Sequence, residues 1–581
     1  MKLDSKKWVV FLCLLVSGPL WGTCLLYEMP PPSECSNQSI SEHDLGLREG
    51  NASFSDYIGS TDCSWVLDED ARLPSGNLVK AAAASNFITR WNTTKLGASR
   101  NNQIRLPLES TGTYNFTVDW GDGSTDQITV WNQPEVTHTY ATPGEYIVTI
   151  NSTLHGWSFI RGGDHPKLVE LSQWGDIRLG NSGRYFYWCR NLVLTATDAP
   201  DLTGTTSLAE AFLDCYNLGS TGDMNNWNVS AVTDMSSMFF GARTFNQPLG
   251  AWNVSAVTKM DYMFSEAWAF NQPLGVWNVS AVTTMSNMFF NARAFNQPVE
   301  AWNVSAVTSM SSMFARAEAF NQPLEAWDVS AVRSMNMMFE SARTFNQPIG
   351  GWNVSSVTSM RRIFNFATKF DQPLGDWNVS AVTNMNLMFS GARDFDQPLG
   401  DWNVSAVTIM SSMFVGAWAF NQPLEAWDVS SVTMMDGMFS GTTFNQPLGA
   451  WDVSAVTEMS EMFHEGRAFD QPLGDWNVSA VTSMHWMFRS AGLSWANYDH
   501  LLLGWAQLEL NQGVPFTAGN SWYTRDAASA RQHIIDTYGW TISDRGLYEG
   551  FVASIFIAAG FVGGLIVIWI KRRTKVQGGE K

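Results

Sequence analysis

Between residues 227 and 490 the apolar positions recur with a period of 25 residues, and this is the strongest signal in the chain. Trp opens each of eleven units, from Trp227 to Trp476, and only the unit beginning at Trp427 is a residue short. With Trp as position one, Val at three and six, Met at nine and Phe at thirteen occur in every copy, and Met at twelve gives way once, to Ile363. Positions one and three alternate with polar neighbours, which predicts a short strand with one face inward. Positions six, nine, twelve, thirteen and sixteen step at helical spacing and predict one or two helical turns. Gln-Pro closes ten of the eleven units and ends the helical stretch, because a residue before proline is pushed out of the α region. A unit of this kind buries its apolar side only by stacking on its neighbours. The expected fold is therefore an α/β repeat solenoid.

The pattern changes on either side of the array. From about residue 86 to 155, Tyr114, Phe116 and Val118 alternate with polar residues. They run into the Trp120-Gly121-Asp122-Gly123-Ser124 turn, and Tyr146, Val148 and Ile150 alternate again after Pro143-Gly144. Strand, glycine turn and strand in this order predict a small all-β sandwich. Residues 156–226 read as degenerate leading repeats, 491–546 as a C-terminal cap, and 25–85 as a Cys-containing stalk or cap without sustained period. At the N-terminus, Lys2, Lys6 and Lys7 precede an apolar run from Trp8 to Val16 and then small residues, which predicts a signal peptide over 1–24. Phe551–Ile570 is free of charge and is followed by Lys571, Arg572, Arg573 and Lys575. That predicts one transmembrane helix, a cytoplasmic tail over 571–581 and a single-pass cell-surface protein with its N-terminus outside.

Charge and chemistry narrow the functional classes. A formal charge of −19 argues against a nucleic-acid partner. The eight His residues share no motif with a nucleophile or a ligand pair, and no phosphate loop, H-E-x-x-H or G-x-S-x-G occurs, so neither an enzyme nor a cofactor is expected. The Met column has the spacing of packing. Asp119, Asp122 and Asp126 read better as turn formers than as a calcium loop, which needs 6–8 oxygens. In an oxidising compartment Cys35 pairs most economically with Cys63, while Cys189 and Cys215 should stack on adjacent turns, either bonded, which the compartment favours slightly, or as free thiols in an apolar seat. Of thirteen N-x-S/T sequons, the ones outside the array, Asn37, Asn51, Asn92, Asn115 and Asn151, are the glycosylation candidates. The repeat Asn at position two is expected to form a structural hydrogen-bonding ladder with Ser at four.

The residues quoted for 86–155, with Thr137-His138-Thr139-Tyr140 between the two turns, resemble the polycystic-kidney-disease (PKD) domain, an immunoglobulin-like extracellular spacer. The repeats, with WNVS, VTxMxxMF and FNQPL in this order, resemble the BspA-type leucine-rich-repeat surface proteins over roughly residues 86–546. That resemblance implies adhesion or ligand binding at a cell surface, with an extracellular protein or glycan as partner and self-association as a further option. A passive scaffold is the alternative. Variation concentrates at positions eight, ten, eleven, fourteen, fifteen, seventeen and eighteen. There Tyr262, Trp268, Arg361, Arg362, Trp418 and Trp486 are the binding-face candidates, since exposed aromatics and Arg dominate recognition energy.

Overall fold

A computed structural model describes residues 8–12, 25–29, 86–160 and 162–548 of the 581. The chain divides into two units, residues 1–79 and 80–581. In the first, β1 (Trp8–Leu12) pairs antiparallel with β2 (Leu25–Met29), Trp8 lying opposite Met29. Strand β1 thus falls within the expected signal segment and pairs just beyond it. Cys35, Cys63, Asn37, Asn51 and the expected span at 551–570 lie outside the described residues. Among the described residues no helix is long and apolar enough to cross a membrane.

The second unit begins with strands β3 (Phe87–Asn92), β4 (Gln103–Arg105), β5 (Leu108–Asp119), β6 (Thr125–Ile128), β7 (Thr137–Thr139) and β8 (Glu145–Trp157). With β9 (Leu168–Gln173) and β10 (Val193–Leu194) they form a six-stranded sheet in the order β10-β9-β3-β8-β5-β6, while β4 and β7 pair separately. Period-two alternation sets the buried face: Phe116 and Val118 of β5 and Val148 and Ile150 of β8 are buried. The aspartates of the β5–β6 turn are committed to it. Asp119 accepts from the Gly121 amide, Asp122 from the Ser124 amide, and Asp126 from the Trp120 indole. Strand β8 runs past residue 155, and β9 and β10 extend the same sheet into the leading repeats, so no linker separates sheet and repeats.

A buried ion pair closes this junction. Asp164 and Lys167 are both fully buried, and their charged atoms lie 3.5 Å apart. Asp164 also accepts from the Ser99 and Arg105 amides. The Lys167 ammonium donates to the Ser99, Arg100 and Gln103 carbonyls. Nearly every bond either charge can make is satisfied, which is the condition for tolerating two charges out of water.

The repeats are not α/β. Both α-helices among the described residues, α1 (Trp495–Trp505) and α2 (Arg525–Tyr538), lie in the C-terminal cap. No strand forms at positions one to four: the chain turns over positions three to six, as where the Val257 amide bonds to the Val254 carbonyl, and one residue per coil, at position eight, makes a parallel β-bridge to the next: Asp234 to Lys259 to Thr284 to Ser309. The expected helical segment is a run of tight turns. In the coil of Trp252, the amides of Met263, Ser265 and Ala267 bond back three residues. Those of Met260, Tyr262, Phe264 and Glu266 donate forward instead, to the carbonyls of Thr284, Ser286, Met288 and Phe290 in the next coil. An α-helix requires every amide to bond back four. The alternation also requires left-handed backbone at positions eleven and fifteen, as at Tyr262 (φ 57°) and Glu266 (φ 57°), and such residues interrupt a right-handed helix.

The helical-looking spacing nevertheless marks the interior correctly. In the same coil Val257, Met260, Met263, Phe264 and Ala267 are all buried. Phe264 stacks on Phe289 at 5.6 Å and 7°, and Trp277 on Trp302 at 6.4 Å and 4°. Polar groups follow the same register. From Trp252 onward each Trp indole donates to an apolar residue's carbonyl in the coil before, as Trp277 to Leu249 at 3.0 Å and Trp327 to Val299 at 3.0 Å. Asn271 Oδ1 accepts from the Asn296 amide and the Gln297 side chain. The cap then supplies what a twelfth coil would: Trp505 of α1 donates to the Leu473 carbonyl, and Asn497 and Ser494 donate to Asp470.

Candidate binding face

Conserved pattern and variation separate cleanly within a coil. Positions one, three, six, nine, twelve and thirteen face inward, so any recognition surface is built from what remains. Position two is the first outer column. It does not form a ladder between coils. Asn228 Oδ1 accepts from the Ser230 amide and hydroxyl of its own coil, at 3.3 and 2.7 Å, and the other coils repeat this local turn. Where Asp replaces Asn, at Asp328, Asp428 and Asp452, the neighbouring Ser hydroxyl and amide hold the carboxyl below its ordinary range.

Positions eight, ten and eleven form the second outer strip. Its hydroxyls and carboxamides bond from coil to coil, Ser286 to Ser309 at 2.7 Å and Ser311 to Ser334 at 2.8 Å. Four of the six candidates sit here. Tyr262 is 42% exposed and lies 6.2 Å from the Phe240 ring. Arg361 is half-buried and donates to Asn386 at 3.2 Å, and Arg362 lies 3.8 Å from Glu340. Trp486 is 37% exposed beneath the Arg489 guanidinium, 4.3 Å from its ring. Position fourteen, expected to face outward, is turned inward at Ser265, Ala315 and Asn365.

The third outer column is position seventeen, which holds Trp268 and Trp418. They differ sharply. Trp268 is sandwiched between Arg243 at 4.4 Å and Arg293 at 4.7 Å, and its indole N–H is buried, so neither ring face is free. Trp418 is 55% exposed and carries only Arg393, at 4.3 Å. The structure therefore divides the six candidates between two columns and removes Trp268 as an open platform. The residues that sequence reasoning missed are Arg243, Arg293 and Arg393. Their signal was present, since Arg recurs at position seventeen in alternate coils, 243, 293, 343 and 393.

The remaining candidates lie elsewhere. Asn92 donates to Glu145 and accepts from Thr94; Asn115 accepts from Gln127 and is exposed, as is Asn151. Cys189 and Cys215 are both buried and unbonded to each other, the free-thiol alternative rather than the slightly favoured disulfide. The Cys215 thiol lies 3.0 Å from the Phe186 carbonyl, and burial pushes both thiols well above their ordinary range. Their apolar seat is the one later coils give to Ala.

Fold and face together define a stacked-coil repeat protein with a constant interior and a variable outer surface. The chain belongs to the family described as Mycoplasma protein of unknown function, DUF285, which matches three times, over residues 206–327, 297–401 and 394–500. The three matches cover the coils and leave the sheet region at 86–157 outside them. No curated protein matches the chain. No solved structure matches it.

Proposed function

We propose that this chain is an extracellular adhesion or ligand-display protein of the BspA-type surface kind, with a PKD-like spacer at 86–155. One observation carries the reading: the coils keep one interior through eleven copies while the exposed positions eight, ten, eleven and seventeen change from coil to coil. A framework that fixes its backbone by repetition and varies only its outer columns suits recognition of another molecule. The partner is an extracellular protein or glycan, and the sequons outside the array, Asn92, Asn115 and Asn151 among them, carry glycans where the host adds them. The reading assigns no catalytic step and no cofactor.

The test is a binding screen of the purified chain against glycans, matrix proteins and whole cells, followed by Tyr262→Ala with Trp418→Ala. The reading expects a ligand whose affinity falls at least tenfold in the double variant, in line with loss of exposed aromatic contacts. Full binding by that variant, with loss on replacing Ser230, Ser255 and Ser280, would place recognition on the position-two and position-four columns. Absence of any partner would leave a passive scaffold.

A further inference from the structure

The coils confine their cations to one side in a way the ligand reading does not use. From position nineteen of one coil through position six of the next, the array contains no Lys or Arg at all; its cations fall between positions seven and eighteen. The cation-free side carries exposed carboxylates at positions twenty-four, twenty-five and two, among them Glu300, Glu325, Asp376, Asp401 and Glu425. The position-seventeen edge carries Arg243, Arg293, Arg343 and Arg393 in alternate coils, with Glu318 the one carboxylate of that column, between Arg293 and Arg343.

Two further observations make these edges complementary surfaces. None of those four Arg residues is ion-paired to a carboxylate among the described residues; ring faces hold Arg243, Arg293 and Arg393, and Arg243 also packs on Tyr216 at 4.3 Å. Cation–π stacking fixes a guanidinium without neutralising it, so the charge stays available and little side-chain freedom is lost on binding. The second is that the C-terminal end of the stack is closed by α1, which occupies the bonds a further coil would make. Addition of another copy there is blocked, and the long flanks remain.

We infer that two copies of this chain associate side by side, the Arg edge of one against the carboxylate edge of the other. Both edges follow the same coil spacing, so complementary charges can be brought into register along several coils. The chain's net charge of −19 opposes association over long range. At about 0.1 M salt the screening length is only ~10 Å, so facing edges outweigh distant charge.

Sedimentation velocity of the full chain tests this at 0.1 M and 0.5 M salt. The inference expects a dimer or larger species at 0.1 M that dissociates at least tenfold more readily at 0.5 M. Arg243→Glu, Arg293→Glu, Arg343→Glu and Arg393→Glu together should give monomer, as should Glu300→Lys, Glu325→Lys, Asp376→Lys and Asp401→Lys together. Mixing the two charge-reversed chains should restore association. Monomeric unaltered chain at 0.1 M salt, association insensitive to salt, or mixed variants that stay apart would each overturn it. Dextran sulfate provides the rival outcome: monomeric chain that binds it through the Arg edge assigns that edge to an acidic polysaccharide instead. Ligand binding by the monomeric variants separates failure here from failure of the display reading.

Discussion

The sheet at 86–157 and the coils that follow solve the same problem by opposite means. In the sheet region individual contacts are unique. His138 stacks on Trp120 at 4.8 Å and meets Asp122 at 2.9 Å, and one buried ion pair, Asp164 with Lys167, secures the junction. In the coils each bond is one of a series, so the Asn271 acceptor recurs as Asn296, Asn321 and Asn346. Uniqueness concentrates stability at a few residues, and repetition spreads it. Substitution should therefore be more damaging at the junction than at any comparable seat in the array.

The largest effect is expected at Lys167. Lys167→Met leaves Asp164 buried and uncompensated, and denaturant unfolding should show a loss of about 3–5 kcal/mol. Within the array, Asn296→Leu strands the Asn321 amide, leaves Gln322 only its bond to the residue-296 carbonyl, and should cost about 1–3 kcal/mol. Asn296→Asp should stay within about 0.5 kcal/mol, because Asp371 and Asp396 already serve as acceptors in that seat. Equal losses for Lys167→Met and Asn296→Asp would erase the contrast.

Asp122 gives a smaller, pH-dependent effect. Burial acts against its ionisation, but the Ser124 hydroxyl and amide and His138 outweigh it and bring the carboxyl down to about 2. Its folded value lies below its unfolded one, so the stabilisation is present above about pH 4 and is lost as pH falls toward 2. Asp122→Asn should cost on the order of 1 kcal/mol at neutral pH and flatten the stability profile between those limits. Unchanged pH dependence in the variant would remove Asp122 from the account.

Much of this was legible in the residues. The Trp, Val, Met and Phe columns identified the interior, and the glycine turns identified the strands of the sheet. The helix was misread because burial at positions six, nine, twelve, thirteen and sixteen is common to a helix and to a chain of tight turns. What distinguishes them is the left-handed seat. Gly241, Gly391, Gly416 and Gly441 at position fifteen, and Gly437 at eleven, were its trace in the sequence. Trp268 was misjudged for another reason: its cover comes from Arg243 and Arg293, each 25 residues away, and depends on which coils are neighbours. Cys189 and Cys215 do occupy adjacent coils, since the Cys215 thiol reaches the Phe186 carbonyl, but stacking does not imply a bond.

The central claim is that coil amides bond alternately backward and forward through left-handed residues at positions eleven and fifteen, and one substitution decides it by sign. Ser341 sits at position fifteen with φ 57°, in the seat that Gly391 fills two coils later. In a left-handed seat Ser341→Gly relieves a cost of roughly 1 kcal/mol, whereas within a helix glycine destabilises by about as much. Denaturant unfolding of Ser341→Gly should show stability unchanged or raised by up to about 1 kcal/mol. A loss of about 1 kcal/mol would contradict the account and restore the helix.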